Sequence, residues 1–313
     1  MSCISIGAST DIETLNSFQP PGVGMLHNLR LSDLDVAIID FLWTWKLATT
    51  SMLGLRFSAD TKSIAIYQRL MRLARAQLIA VTSDQAGKCF AWVLTNTGFT
   101  IAKRNLGQLA EVGYKSEKQL HDLLVTAIHL GDNIWAEETG LETFTEQQMR
   151  RYEIEYYPSW VPPTTRHRPD GYWLVQGKAE KPRVVALEVE LSRKLDSDYQ
   201  AVREFYMAWK RIYRVIWFVP KAKDAKRLAK KFAEEPGVEQ CYHNFVLLGD
   251  FLKSGWQSPI TLGPDQGMCV AELLYDKPMT WQKPVTGMLL LNGAKAPHKS
   301  ASYKLWNLSE FCH

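Results

Sequence analysis

Residues 166–194 read RHRPDGYWLVQGKAEKPRVVALEVELSRK, and their alternation sets the fold around them. Two β-rich runs flank a Gly/Lys/Pro turn, which predicts a hairpin. Side chains at i and i+2 of a strand share a face, so Glu188 and Glu190 project together, while Leu187, Val189 and Leu191 face the other way. On the first strand Tyr172, Leu174 and Gln176 share one face, and Trp173 and Val175 the other. Pairing the two strands brings Asp170 towards the end that carries the two glutamates. Carboxylates that share a site repel unless protons or a cation neutralise them. A surface hairpin with acids on its wet face has the same spacing. The apolar setting VVALEVEL favours a site, because an acidic pair is costly inside so hydrophobic a strand. Oxygen ligands suit Mg²⁺ or Mn²⁺ rather than zinc, and such ions activate water and stabilise charge on a phosphate diester under attack.

The order Pro169-Asp170, then a strand with Glu188-x-Glu190, resembles the PD-(D/E)XK restriction-endonuclease-like fold, with the second Glu where many members carry a Lys. Preceded by His167-Arg168, this acid-x-acid variant resembles the plasmid replication-relaxation family and its MobC-type relaxases. The resemblance implies Asp170, Glu188 and Glu190 as metal ligands. Glu188 would ligate the metal or orient water, Lys194 would offset transition-state charge, and His167 or Arg168 would contact the phosphate, although His167 could equally be a structural loop residue. Which residue helps to activate water stays open, Lys194 or another.

Upstream, Ser32 is positioned to cap a first helix carrying Leu34, Ile38, Phe41, Leu42 and Trp45 at helical spacing. Thr50 or Ser51 starts a short second helix, and Ser58 or Asp60 caps a third containing Ile64, Tyr67, Leu70 and Met71. LIAVTSD, a Gln85–Lys88 turn and CFAWVLT then read as a hairpin, and LTNTGFTIAKR as a closing helix. This order resembles a winged helix-turn-helix, in which Lys62, Arg69, Arg72 and Arg75 of the third helix, with Lys88 in the wing, would face DNA. Solvated helix charge is the alternative.

Between the halves, SEKQLHDLLVTAIHLGD predicts a helix capped by Ser116, with His121 as a core or interdomain hydrogen-bond partner rather than a catalyst. Beyond Lys194, Asp196 or Ser197 caps a crossover helix with Val202, Phe205, Trp209 and Ile212 as its apolar residues, VIWFVP is a strand buried on both faces, and HNFVLLGDFL a further buried strand. KAKDAKRLAKKFAEE places Lys223, Lys226, Arg227, Lys230 and Lys231 on one helix face. A solvated face is the commoner reading of such a stripe, although it can also follow a DNA backbone.

The expected fold is therefore mixed α/β (α+β overall): an arm over 1–30, a winged helix over 31–112, a nuclease-like mixed-sheet αβ domain over 113–252, and an extension over 253–313 with no assigned role. A formal charge of +4 permits nucleic-acid binding without requiring it. Five scattered cysteines with no CxxC spacing fit free thiols in a reducing cytoplasm, and no apolar run is long enough for a membrane span. Nucleotide-binding glycine loops and the GxSxG serine-hydrolase motif are missing from the sequence. The expected function is a metal-dependent endonuclease that nicks double-stranded plasmid or mobile-element DNA within a relaxosome or transposition complex. The alternatives are a non-catalytic DNA-binding regulator and a cutting subunit of a transposition or defence complex.

Overall fold

In the computed structural model the described residues are 30–57, 63–83, 90–135, 141–163, 166–176, 181–233, 243–275 and 285–291. Residues 1–29 of the expected arm over 1–30, Lys62 and the expected wing turn with Lys88 lie outside them.

Helix α1 (Asp33–Trp45) starts in a capping box: Ser32 Oγ accepts from the Asp35 amide at 3.3 Å, and Asp35 accepts from the Ser32 amide at 2.8 Å. Strand β1 (Leu47–Ala48), helices α2 (Thr50–Phe57) and α3 (Ser63–Arg75), strands β2 (Ile79–Ser83) and β3 (Phe90–Leu94) and helix α4 (Asn96–Ala102) follow. The three strands pair antiparallel in the order β1-β3-β2. Thr95 caps α4 by accepting from the Gly98 amide.

A larger sheet follows helix α5 (Gln119–Leu130). It contains β4 (Leu141–Thr145), β5 (Gly171–Val175), β6 (Arg183–Val189), β7 (Ile212–Val219) and β8 (His243–Leu247), in that spatial order. Short helix α6 (Glu146–Arg151) precedes β5, α7 (Asp196–Ala208) crosses from β6 to β7, and α8 (Ala222–Ala233) crosses from β7 to β8. The pairs β4/β5 and β5/β6 are antiparallel, while β6/β7 and β7/β8 are parallel, as helical crossovers require. Helices cover both faces. Trp173, Val175, Val185, Leu187 and Val189 join one core, and Tyr172, Leu174, Val184 and Ala186 join another with α7 and α8. Every residue of β5 is therefore buried.

Three boundaries differ from the sequence reading. Helix α5 starts at Gln119 behind Lys118, whose side chain makes no cap, rather than at Ser116. The crossover helix stops at Ala208, which puts Ile212 in β7. HNFVLLGDFL divides into β8 and helix α9 (Leu248–Ser254), because a short apolar run carries no periodicity that separates strand from helix.

The expected division at 112/113 does not separate two cores. One continuous apolar cluster includes Ile38 and Leu70, Leu124 and Ile128 of α5, Leu187 and Phe218 of the large sheet, and Phe251, Trp256 and Leu290. Residues beyond 253 seal that junction. Helices α10 (Val270–Leu274) and α11 (Gly287–Leu291) bury apolar side chains in it, Trp256 Nε1 donates to Ile128 O at 2.8 Å, and Thr49 Oγ1 donates to Leu290 O at 2.5 Å. Among the described residues no helix is long and apolar enough to cross a membrane.

Gly171 is required by a close approach. A Cβ there would lie 2.1 Å from Nε2 of His129, which is fully buried between Trp45 and Trp173. Burial pushes His129 down to about 3, and likewise His243, which accepts from Trp217 Nε1. Both rings stay neutral in the fold, whereas the unfolded chain takes up their protons below about pH 6.5. Stability should therefore fall by about 1.4 kcal/mol per pH unit per histidine between pH about 6.5 and about 3. Urea denaturation across this range checks it, and a flat profile would show that these rings are hydrated or paired in the native state.

Candidate active site

The hairpin β5/β6 and the parallel pair β6/β7 bring Asp170, Glu188 and Glu190 to one edge of the sheet, because β5 begins where β6 ends. That edge is the carboxyl end of the parallel strands, where open αβ sheets commonly bind ligands. The Asp170 amide donates to Leu187 O at 3.0 Å and the Glu190 amide to Phe218 O at 3.0 Å, so the ladders extend just past the strands. Backbone hydrogen bonding thus holds both acids in place.

Each carboxylate meets a different partner. Glu188 is 4% exposed and faces α7. Its Oε1 accepts from Tyr206 OH at 2.5 Å and lies 2.6 Å from His167 Nε2. Burial, then the Glu188 charge, holds the Tyr206 phenol well above its ordinary range, so it remains a donor. Asp170 Oδ2 accepts from the Val189 amide at 2.7 Å and lies 3.6 Å from His121 Nε2. His121 Nε2 is also 3.1 Å from Val189 O, and its Nδ1 is 3.4 Å from Asp122. Burial opposes a charge on His121, but the Asp170 charge and the hydrogen bonds to Asp122 and Asp170 prevail and raise it to about 10. For Asp170, burial is likewise outweighed, by the His121 charge, the Val189 amide and the Lys194 charge, so its pKa is lowered.

Glu190, also 4% exposed, lies 3.1 Å from Lys194 Nζ. Its pKa is raised by burial, with the Glu188 and Asp170 charges adding to the rise and Lys194 opposing it. Burial disfavours the Lys194 charge, yet the Glu188, Glu190 and Asp170 charges together raise its pKa.

Comparison with family models, with curated proteins and with solved structures found no match.

The site departs from the sequence expectation in the grouping of its acids. Among the described residues no three of His, Cys, Asp and Glu are grouped so that they could hold a metal ion. Tyr206 and His167 hold Glu188 towards α7. His167 is a partner of Glu188, as its reading as a structural loop residue expects. Arg168 lines a cavity of about 240 Å³ with Lys46, His121, Arg150 and Asp170, and its Nε is buried without a hydrogen-bond partner among the described residues.

On α3, Arg69 and Arg72 turn inward to Asp35 of α1 at 2.8 and 2.5 Å, and Asp35 is fully buried. Arg75 is exposed at the end of the helix. Sequence reading passed over Tyr206, which sits on the apolar face of α7 with no local signal of its role. His121, expected as a core or interdomain hydrogen-bond partner, contacts Asp170 and the end of β6.

Proposed function

We propose that the protein is a metal-dependent DNA endonuclease that nicks plasmid or mobile-element DNA in a reducing cytoplasm. The observation that supports it is the placement of Asp170, Glu188 and Glu190 at the carboxyl edge of a mixed sheet, with Lys194 Nζ 3.1 Å from Glu190. The chain order also agrees: three helices and a β-hairpin precede an αβ unit whose strand hairpin carries Asp170 and Glu190. With Glu188 held by α7, Asp170 and Glu190 are the oxygen donors that would hold Mg²⁺ or Mn²⁺, and Mg²⁺ commonly takes only one or two carboxylates. Bound there, the ion would polarise the phosphodiester and acidify a water. Lys194 offsets charge on the phosphate. His121 fixes Asp170 and the Val189 carbonyl, and Glu188, tied to Tyr206 and His167, fixes the end of β6.

A second reading has its own support. Each acid already has an internal partner, in His167 with Tyr206, His121, or Lys194, which suits a non-catalytic DNA-binding regulator whose acids serve the fold. Incubating supercoiled plasmid that carries the native neighbouring DNA separates the two readings. Nicked circles with Mg²⁺ or Mn²⁺, and none with EDTA, are expected, while unchanged supercoils under every metal would leave the regulator.

A further inference from the structure

Helix α8 has a surface that the proposed chemistry does not use. It buries Ala225, Leu228 and Phe232 against the sheet and carries five cations, Lys223, Lys226, Arg227, Lys230 and Lys231, against one acid, Asp224. Two of the five are engaged: Lys231 pairs with Asp196 at 2.7 Å, and Arg227 lies 5.3 Å from the Tyr199 ring centroid. Lys223, Lys226 and Lys230 are exposed. Ordinary soluble surfaces intersperse both signs, so a single-sign face of this kind favours a polyanion.

Its placement names the polyanion's route. Helix α8 begins at Ala222, just past β7, whose Phe218 carbonyl accepts from the Glu190 amide. Its last turn is pinned through Lys231 to Asp196, the first residue of α7. The Lys194 amide donates to Tyr199 OH at 3.0 Å, and Arg227 lies over that same ring. Both halves of α8 are therefore tied to the edge that carries Glu190 and Lys194. Helix α3 is a weaker candidate for this role, because Arg69 and Arg72 are already paired with Asp35.

We infer that the exposed lysines of α8 form a track for a DNA backbone leading to the acidic edge. From Lys223 to Lys230 the helix rises about 10 Å, which matches about three phosphates of one strand at ~3.4 Å per charge. The inference rests on the DNA-cutting reading for what happens at the end of the track, but not for the binding itself.

The test is a salt titration of duplex DNA binding by fluorescence anisotropy, using the full chain and its K223Q/K226Q/K230Q variant. All three sites are exposed, so the variant should melt like wild type. The slope of log K against log salt should flatten by about 2 to 3, at about 0.9 for each phosphate that is no longer neutralised, and the triple Lys→Arg variant should restore it. An unchanged slope, or wild-type protein that does not bind duplex, overturns the track. So does a variant that keeps its DNA slope but loses binding to phosphatidylserine/phosphatidylcholine vesicles, which would assign the stripe to an anionic membrane. Wild-type protein that binds through α8 but leaves DNA uncut with Mg²⁺ and Mn²⁺ sinks the nuclease reading alone.

Discussion

Replacing Arg69 and Arg72 together with alanine is expected to destabilise the protein by about 3 to 5 kcal/mol, the usual cost of leaving a buried charge unpaired. Asp35 is fully buried and closes the capping box of α1. Burial penalises its charge, but the Ser32 amide and the two guanidinium groups outweigh that penalty and hold its pKa at about 2. Both arginines are partly exposed and regain water when Asp35 is removed. Asp35, in contrast, has nowhere to go when they are removed. The Asp35→Ala, Arg69→Ala, Arg72→Ala triple variant should therefore recover much of the stability, a coupling that a mutant cycle in urea measures directly. Because the folded pKa is depressed, the contribution is fully present above the ordinary 3.8 and is lost as pH falls towards 2. If the double variant melts like wild type, the Asp35 pair is not formed in solution. If it melts low, weakened DNA binding by this variant would not show that α3 reads DNA.

The second large effect divides two neighbouring glutamates. Glu190→Ala should reduce nicking by about 10²- to 10³-fold, the scale of losing one preorganised electrostatic group, while the melting temperature holds or rises. Its raised pKa means that the ionised carboxylate works against folding at neutral pH, and half-exposed Lys194 can return to water. Glu188→Ala should instead lower stability by about 1 to 3 kcal/mol, the cost of an unsatisfied buried hydroxyl, because Tyr206 is left without its acceptor. Glu188→Gln retains an acceptor oxygen and should restore most of that stability. Thermal melts and plasmid nicking on the same preparations give both readouts. A Glu190→Ala protein that melts clearly lower and still cuts DNA would make the pair a structural feature and remove the basis for catalysis.

Local signals carried most of the elements. Ser32 with Asp35 announces a helix start, the alternation around Glu188 announces a strand, and VIWFVP announces a strand covered on both faces. Each of these depends on neighbours within a few residues, where periodicity and capping act. The helix order and the hairpin that carries the three acids could therefore be read directly from the chain. What each charged group does could not. Arg69 on α3 has the spacing of a DNA contact, and only the packing of α1 against α3 turns it towards Asp35, 34 residues away. Glu188 shares a strand face with Glu190, yet Tyr206 and His167 bind it because α7 and the 166–169 loop fold over that face. His121 meets Val189 across 68 residues, and Leu290 closes on Thr49 across 241. Sequence determined where charge and apolar surface occur along each element, since side-chain direction follows backbone period. Tertiary structure alone decided which charges meet, because a buried carboxylate takes whichever donor the packed helices place beside it, and residue spacing does not encode that proximity.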